Sequence, residues 1–333
     1  MGKMIDLQQM VVWLMNLPKD DGYSKIRRRV LAGKRKWLAG QSDLYRFSKT
    51  GTPDFTSFHE ICFIRGGMYD YEYFNICFLN NVLALILECI MEHRIPVVQI
   101  VNEAGDNIWE QFFEQPCPNW EEMAADRDTT VLDKKEVMVF PGFQEIFSGA
   151  RVALWRNLYQ SFVRFCPPVQ EYIDGEVRGL LGEGRRVLGV LCRGTDYIQL
   201  RPTGHPVQPD LEEILDMAER KLGELSCDFI YLATEEGRID RRFRERFPDK
   251  ILVNRRVYYD EIFQKEQLTW IKDVHFDRED DDYWKGVEYL SSLVILSKCH
   301  AIVAGNCGGS SAAVFMNDGT YEDVHIYDMG LYP

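Results

Sequence analysis

Three polar segments in the second half of the chain contain residues that could bind an anion and act on it. Each follows directly after an apolar run: Arg193-Gly-Thr-Asp196, Thr234-Glu-Glu236 and Asn306-Cys-Gly-Gly-Ser-Ser311. Arginine grips a phosphate or diphosphate through a planar fork of N–H donors that stays charged. Glycines and serines that open a helix leave backbone N–H groups available to an anion. The segments therefore predict a phosphate-containing ligand with Arg193 as its main cation.

The first polar segment follows a run that is typical of a buried strand. Residues Val187–Cys192 are almost all apolar, as in a parallel sheet covered by helices on both faces. Open α/β sheets bind ligands at the carboxyl ends of their strands, where Arg193 falls. The next residues are predicted to form a ligand loop without helix until Leu211, because glycines and prolines interrupt it: Gly194, Pro202, Gly204, Pro206 and Pro209.

Strands and helices alternate through the rest of the second half, which predicts a doubly wound α/β domain. Further strands are predicted at Phe229–Ala233, Lys250–Asn254, Ala301–Ala304 and Val324–Asp328, and helices at Leu211–Leu222, Arg238–Phe247, Tyr283–Lys298 and Ser310–Met316. The carboxyl ends of parallel strands share one edge of a sheet, so we expect the three polar segments to line one cleft.

The first half contains the pattern of one βαβ unit. A strand at Glu60–Ile64 leads through Gly66-Gly67 to a long apolar helix at Phe74–Met91 and then to a strand at Ile95–Val101. The Gly-Gly turn could admit a ligand to the helix N-terminus, or it could be a simple tight turn. Another strand is predicted near Val137–Phe140.

Length and composition favour two domains. The chain has 333 residues, of which 46% are hydrophobic, enough for two cores of ordinary size. Helices are predicted at about 142–165 and 168–181, and Gly182-Glu-Gly-Arg is the predicted hinge. The predicted domains are therefore residues 1–182, which include a helical basic extension at 1–57, and residues 183–333.

The distribution of charge and cysteine limits the partners and the compartment. A net charge of −13 argues against general nucleic-acid binding, which needs a basic surface. Residues 1–50 carry 11 Lys or Arg against 4 Asp, so this segment could contact anionic lipid or form a solvated helix face. Nine scattered cysteines without a C-x-x-C pair, and no signal peptide or membrane span, predict a cytoplasmic protein with possible peripheral membrane contact.

Residues 186–317 resemble the GDP-fucose fucosyltransferases, the superfamily of α1,2-, α1,6- and protein O-fucosyltransferases. Gly189-Val-Leu-Cys-Arg-Gly-Thr-Asp-Tyr197, with His205-Pro206 downstream, is similar to the first family motif. Tyr231-Leu-Ala-Thr-Glu-Glu236 is similar to the second, and the run from Leu296 to Ser310 is similar to the third. The first half resembles the family only through the strand, Gly-Gly turn and helix at Phe63–Met91.

This resemblance implies a GT-B-like α/β fold, in which two Rossmann-like domains face a cleft with the acceptor on the N-terminal side. It implies an inverting transfer of fucose from GDP-fucose to a hydroxyl of a glycan or glycoconjugate, as in polysaccharide biosynthesis, with no metal or other cofactor. Arg193 would bind the diphosphate and stabilise the leaving group. The residues expected at the donor are Arg193, Gly194, Thr195, Arg201, Thr234, Glu235, Glu236, Ser292, Asn306, Gly308, Gly309, Ser310 and Ser311, and those on the acceptor side are Gly66, Gly67, Asp70 and Glu72.

The sequence departs from the family pattern at three positions around Arg193. Leu191 stands where the family often has His, and Gly194 stands where a second arginine often follows, as in the protein O-fucosylating branch. Arg201 occupies the position of a carboxylate in α1,6 members. The general base is therefore not carried over from the family, and the candidates for it are Asp196, His205, Glu288, Asp70 and Glu72.

Several of these residues also have a purely structural interpretation. Asp196 could cap the loop or orient Arg193 instead of acting in catalysis, and His205 could be a loop histidine. Glu235 and Glu236 could be turn residues or ligands of the ribose and base. Three further groups are predicted to be structural rather than ligands of a sugar, a metal or a cofactor: the aromatics Trp109, Phe112 and Phe113; the acidic run Asp280–Asp282; and the helical stripe Trp284, Tyr289, Leu293 and Leu296.

Two rival functions stay open on the sequence alone. The same fold could use another nucleotide sugar, since Leu191 and Arg201 alter the surroundings of Arg193. A non-catalytic module could keep the anion site and lack the base. Hydrolysis of a nucleotide sugar would separate an enzyme from such a module, which would only bind it.

Overall fold

A computed structural model describes residues 52–67, 72–133, 137, 139–266 and 273–333, without the side chains of Thr195, Asp196 and Gln199. The predicted basic helical extension therefore lies outside the described residues up to position 51, and so does Asp70. The described chain forms two separate parallel β-sheets covered by helices. This confirms the predicted α/β class. The boundary at residue 182 stays a prediction.

The first sheet contains three parallel strands in the order β2-β1-β3. Strand β1 spans Glu60–Ile64 and β2 spans Arg94–Val98, and helix α1 at Ile76–Met91 connects them as predicted. Asn75 caps α1, because its side-chain oxygen accepts the N–H of Phe78 at 2.9 Å. The residues of α1 from Phe78 to Cys89 are all buried, in keeping with its apolar sequence.

The third strand of this sheet was not predicted. Strand β3 spans Asp128–Leu132 and pairs with β1, whereas the predicted strand near Val137–Phe140 is wrong at its described residues, which form no ladder. Val137 and Val139 are buried, so their apolar character serves core packing in a loop. The half-exposed β3 has an edge position and a polar sequence, and it therefore lacks the apolar run by which buried strands are recognised.

The second sheet contains five parallel strands in the order β6-β5-β4-β7-β8. These strands are β4 (Val187–Leu191), β5 (Phe229–Ala233), β6 (Ile251–Leu252), β7 (Ala301–Gly305) and β8 (Asp323–Tyr327). The remaining helices are α2 (Trp120–Ala124), α3 (Gly149–Phe162), α4 (Pro167–Leu180), α5 (Thr195–Leu200), α6 (Leu211–Glu224), α7 (Gly237–Arg246), α8 (Asp260–Lys265), α9 (Asp281–Lys298) and α10 (Gly308–Met316).

Helix α5 corrects the prediction that residues up to Leu211 avoid helix. The six residues Thr195–Leu200 between Gly194 and Arg201 form one short helix. Arg201 ends it with a left-handed φ of 45°, and Pro202 follows immediately. The glycines and prolines therefore delimit a helix here, because none of them lies inside it.

Helices α9 and α10 pack into the hydrophobic core of the first sheet, whereas the strands of the second sheet belong to two further clusters. Val287, Leu290 and Leu293 of α9 pack into the same cluster as Phe78 of α1 and Trp155 of α3. Trp109, Phe112 and Phe113 are almost completely buried in this cluster, which confirms their packing role over sugar stacking. Within the residues described, no helix is long and apolar enough to span a membrane.

Candidate functional site

The strand order of the second sheet creates a switch point between β4 and β7. The chain passes from β4 outward through β5 to β6, and it then returns to place β7 on the other side of β4. The connections after β4 and β7 therefore diverge to opposite sides, which leaves a crevice at their carboxyl ends. Arg193 follows β4 and Asn306 follows β7, so two of the three polar segments meet there. We call this region the switch-point site.

Arg193 is held in a defined position within the switch-point site. Its Nε lies 3.5 Å from Glu235 Oε1, and its guanidinium carbon lies 4.8 Å from the centre of the Tyr197 ring. The carboxylate and the aromatic face together restrict the side chain, which is only 19% exposed. Arg193 is therefore a preorganised cation at the carboxyl end of the central strand, held in place by Glu235 and Tyr197.

The carboxylates of the second polar segment lie so close to the backbone of Gly194 that only glycine fits there. Its N–H donates to Glu235 Oε1 at 3.1 Å, so one carboxylate contacts both Arg193 and the backbone beside it. A Cβ built on Gly194 would overlap the side chain of Glu236. Glycine is therefore needed for the close approach of the β5 connection, and Glu235 and Glu236 contact the Arg193 segment itself.

Glu236 is itself fixed by the start of α7. Its carboxylate is only 1% exposed and forms an ion pair with Arg238. Asp260 holds the start of α7 in turn, because its two carboxylate oxygens accept the N–H groups of Gly237 and Arg238 at 3.1 Å each. Thr234, which is buried, accepts the N–H of Glu236 at 3.3 Å. These contacts hold the second polar segment in place beside Arg193.

The segment at the start of α10 is packed more tightly than a simple phosphate loop requires. The Ser310 hydroxyl accepts the N–H of Cys307 at 2.9 Å and donates to the carbonyl of Cys307 at 3.0 Å. A Cβ on Gly308 would lie 2.7 Å from Ile76 Cγ2 of α1. Gly308 therefore permits close contact between the first turns of α10 and α1, and the hydroxyl of the buried Ser310 is bonded within its own turn. Ser311 is buried as well.

The contact between Gly308 and Ile76 places the two sheets relative to each other. Helix α1 follows the Gly66-Gly67 turn at the end of β1, and α10 follows Asn306 at the end of β7. The first turns of both helices therefore meet near the switch-point site. Among the predicted acceptor-side residues, Gly67 is buried, and Glu72 is exposed and accepts the N–H of Glu103 at 2.9 Å.

A buried amide next to Asn306 was not predicted from the sequence pattern. Gln208 donates to the carbonyl of Asn306 at 2.9 Å and packs against Gly305, while Asn306 donates to the carbonyl of Phe143 at 3.0 Å. Gln208 is buried, although its sequence neighbours Val207 and Pro209 suggest only an irregular loop. The sequence did contain one signal for a buried Gln208, because it is a long polar residue between two apolar residues ahead of a capped helix.

His205 lies at the edge of the site in a loop tied to the end of the chain. Its ring is 5.5 Å from that of Tyr197 and 5.7 Å from that of Phe143, centre to centre. Its carbonyl accepts the N–H of Tyr332 at 2.8 Å, and Pro206 bridges to Leu331. Tyr197 therefore touches both His205 and Arg193, which brings two of the predicted catalytic residues into one neighbourhood. Arg201, by contrast, is exposed at the end of α5.

Two other predicted residues are occupied by internal bonds. Glu288 forms a two-point ion pair with Arg278, with distances of 2.6 and 3.4 Å, and is buried. The Ser292 hydroxyl donates to Asn254 at 3.1 Å, and Asn254 also accepts the hydroxyl of Tyr231 at 2.9 Å. Glu288 could act as a base only if its ion pair with Arg278 were broken, and Ser292 has only its acceptor lone pairs left for a nucleotide. The side chain of Asp196 lies outside the described residues.

One cluster of described side chains has the spacing of metal ligands: His275, Asp281 and Asp282. Asp281 already accepts the N–H of Phe276 at 3.0 Å and pairs with Arg278 at 2.7 Å and Lys285 at 3.4 Å. These contacts lower the pKa of Asp281 although burial opposes them. The acidic run therefore starts α9 and neutralises cations, as its structural interpretation predicts.

A surface groove of about 370 Å³ lies away from the switch-point site. It is bordered by the last turns of α3, α9 and α10, with Tyr159, Val294, Lys298 and Met316 among its lining residues. Ligands of parallel sheets bind at the opposite, carboxyl edge of the strands. The groove is therefore not part of the candidate site.

Comparison with known proteins found similarity in structure alone. No family model matches the sequence, and no curated protein matches it. NodZ α-1,6-fucosyltransferase soaked with GDP-fucose aligns with 78% of this chain and 93% of its own, with 13% identity and a TM-score of 0.47. POFUT1 in complex with GDP-fucose aligns with 81% of this chain and 97% of its own, with 10% identity and a TM-score of 0.47. NodZ from Bradyrhizobium gives 13% identity and a TM-score of 0.44, with 78% and 93% coverage.

Proposed function

We propose that this chain is a glycosyltransferase that moves fucose from GDP-fucose to a hydroxyl of a glycan or glycoconjugate. The proposal includes inversion at the anomeric carbon and no requirement for a metal ion. It is supported by the three segments that resemble the fucosyltransferase motifs and by their position along the carboxyl edge of one parallel sheet.

The observation that carries the proposal is the fixed position of Arg193 at the switch point. A cation at this place lies at the crevice in which doubly wound sheets bind nucleotides. Glu235 and Tyr197 hold its guanidinium from one side. An arginine that is oriented before the ligand arrives costs little reorganisation when charge develops on that ligand.

The chemistry assigned to Arg193 is stabilisation of the leaving group. The bond between the anomeric carbon and the β-phosphate oxygen breaks, and its electron pair stays on the phosphate. The acceptor oxygen forms the new bond to the anomeric carbon from the opposite face, and its proton passes to a basic side chain. A guanidinium hydrogen-bonded to the departing diphosphate can neutralise the developing charge without a metal ion.

His205 is the described residue best placed for the basic role. It is partly exposed, carries a ring nitrogen at the edge of the site, and shares Tyr197 with Arg193. Glu288 is less suited because a buried ion pair with Arg278 holds it. A role of Asp196 or Asp70 as the base is proposed from the sequence alone.

A thermal-unfolding screen tests the donor assignment. GDP, UDP, CMP and dTDP are compared at equal concentration, and the nucleotide that binds the folded state raises the melting temperature. We expect the largest increase with GDP and slow hydrolysis of GDP-fucose by the same protein. Stabilisation by UDP or dTDP instead would show a different donor, and binding without hydrolysis of any nucleotide sugar would show a non-catalytic module.

A further inference from the structure

Tyr289 occupies a position that its sequence pattern does not reveal. The helical spacing of Trp284, Tyr289 and Leu293 predicts a core residue, yet Tyr289 is partly exposed and lies against the first turn of α10. A Cβ built on Gly309 would be 3.2 Å from the phenol oxygen of Tyr289. The hydroxyl is therefore directly beside the backbone that starts α10, at the carboxyl end of β7.

The same hydroxyl lies within electrostatic range of the proposed catalytic arginine. The charge of Arg193 lowers the pKa of Tyr289, but burial outweighs it and raises that pKa well above its ordinary value, with Cys307 and Cys77 adding to the increase. Tyr289 therefore keeps its proton at physiological pH. A protonated phenol beside a guanidinium can donate a hydrogen bond to the same anion.

Within the described residues, the hydroxyl of Tyr289 lacks the hydrogen bond that the hydroxyls of three other tyrosines form. Tyr159 donates to Asn80 at 2.6 Å, Tyr231 donates to Asn254 at 2.9 Å, and Tyr321 donates to the carbonyl of Leu296 at 2.8 Å. Over the described part of the chain, no hydrogen bond is formed by the hydroxyl of Tyr289. A phenol hydroxyl has one O–H donor, and that of Tyr289 is available for a ligand.

We propose that the Tyr289 hydroxyl donates a hydrogen bond to the β-phosphate of the nucleotide-sugar donor, next to Arg193. The inference rests on the proposed function and adds a ligand contact to the same site. Phosphate oxygens are acceptors only, and the first turn of α10 beside Tyr289 favours negative charge through its backbone dipole. Gly309 allows the approach, because a larger residue would crowd the hydroxyl.

The test compares the affinities for GDP and GMP, which differ by the β-phosphate. Tyr289→Phe removes the hydroxyl and keeps the ring, and Tyr283→Phe makes the same change on the same helix, where the Tyr283 ring stacks on Phe112 at 5.5 Å. We expect Tyr289→Phe to weaken GDP binding about tenfold, as for one hydrogen bond to a charged group, and to weaken GMP binding much less. Tyr283→Phe should leave both affinities within about twofold of the unmodified chain.

The outcomes separate this inference from the proposed function. If the unmodified chain binds GDP and Tyr289→Phe leaves the ratio of GDP to GMP affinity unchanged, Tyr289 does not contact the β-phosphate, and the proposed function stands. If the unmodified chain binds no nucleoside diphosphate, both proposals fall together. Tyr289→Leu supplies a second side chain without a hydroxyl if the phenylalanine variant does not fold.

Discussion

One carboxylate oxygen, Glu235 Oε1, lies 3.5 Å from Nε of Arg193 and 3.1 Å from the backbone nitrogen of Gly194. Glu235 follows β5 and Arg193 follows β4, so this contact joins two neighbouring strand ends of the second sheet. A carboxylate that binds one edge of the guanidinium restricts how the rest of that group meets a ligand. Glu235 therefore positions Arg193 and need not contact the sugar nucleotide itself.

Replacing Glu235 with glutamine tests this positioning role. The substitution keeps the shape and an oxygen acceptor for Gly194 but removes the charge that orients Arg193. We expect the turnover number for GDP-fucose hydrolysis to fall about tenfold, with the affinity for GDP changed by less than about threefold. Steady-state kinetics and calorimetric titration give the two values. A loss confined to GDP affinity would instead make Glu235 a nucleotide ligand.

Gly194→Ala should damage the site through its contact with Glu236. The added Cβ overlaps the Glu236 carboxylate, which is buried and paired with Arg238, so one of these groups must move. We expect a loss of about 1–3 kcal/mol in the free energy of unfolding and weaker GDP binding. Denaturant unfolding and nucleotide titration measure the two effects.

The matched control is Gly175→Ala, in the interior of α4, where an added Cβ meets nothing within 4 Å. It should stabilise the chain by about 0.5–1 kcal/mol, because alanine is the better helix former. Equal behaviour of the two variants would show that the close contact between Gly194 and Glu236 does not exist.

Tyrosines with a raised pKa should make the protein less stable at alkaline pH. Burial raises the pKa of Tyr231, Tyr259 and Tyr289 above their ordinary value of 10.0. Above that pH the unfolded chain releases phenol protons that the folded chain retains, so deprotonation favours unfolding. The contribution is fully present below pH 10 and decreases as the pH rises further. Urea unfolding at pH 9 and pH 11 should show a clear fall in the free energy of unfolding, and equal values would contradict the burial of these phenols.

The sequence was sufficient for the elements whose pattern is strong. Buried parallel strands such as β4 and β5 appear as apolar runs, and the polar residues after them mark the ligand edge of the sheet. Strand β3 was missed because an edge strand does not need an apolar run. Helix α5 was missed because its six residues lie between a glycine and a proline.

Contacts between residues that are far apart in the sequence could not be predicted within the site. Arg193 could be chosen from its residue type and its place after a strand. Its contact with Glu235 spans 42 residues, and the approach of Tyr289 to Gly309 depends on how α9 packs against α10. Tyr289 therefore had the spacing of a core residue in the sequence and a place beside the switch-point site in the fold.

The central claim is that Arg193 binds the diphosphate of the donor and stabilises it as the leaving group. The most direct test measures GDP-fucose hydrolysis and GDP affinity for Arg193→Ala, with Arg246→Ala as the control. Arg246 lies on the outer face of α7, where it pairs with Asp216 and Glu219. We expect Arg193→Ala to fold normally and to lose hydrolysis by a factor on the order of 10² or more, with weaker GDP binding, while Arg246→Ala retains both. Near-normal hydrolysis by a folded Arg193→Ala variant would contradict the mechanism.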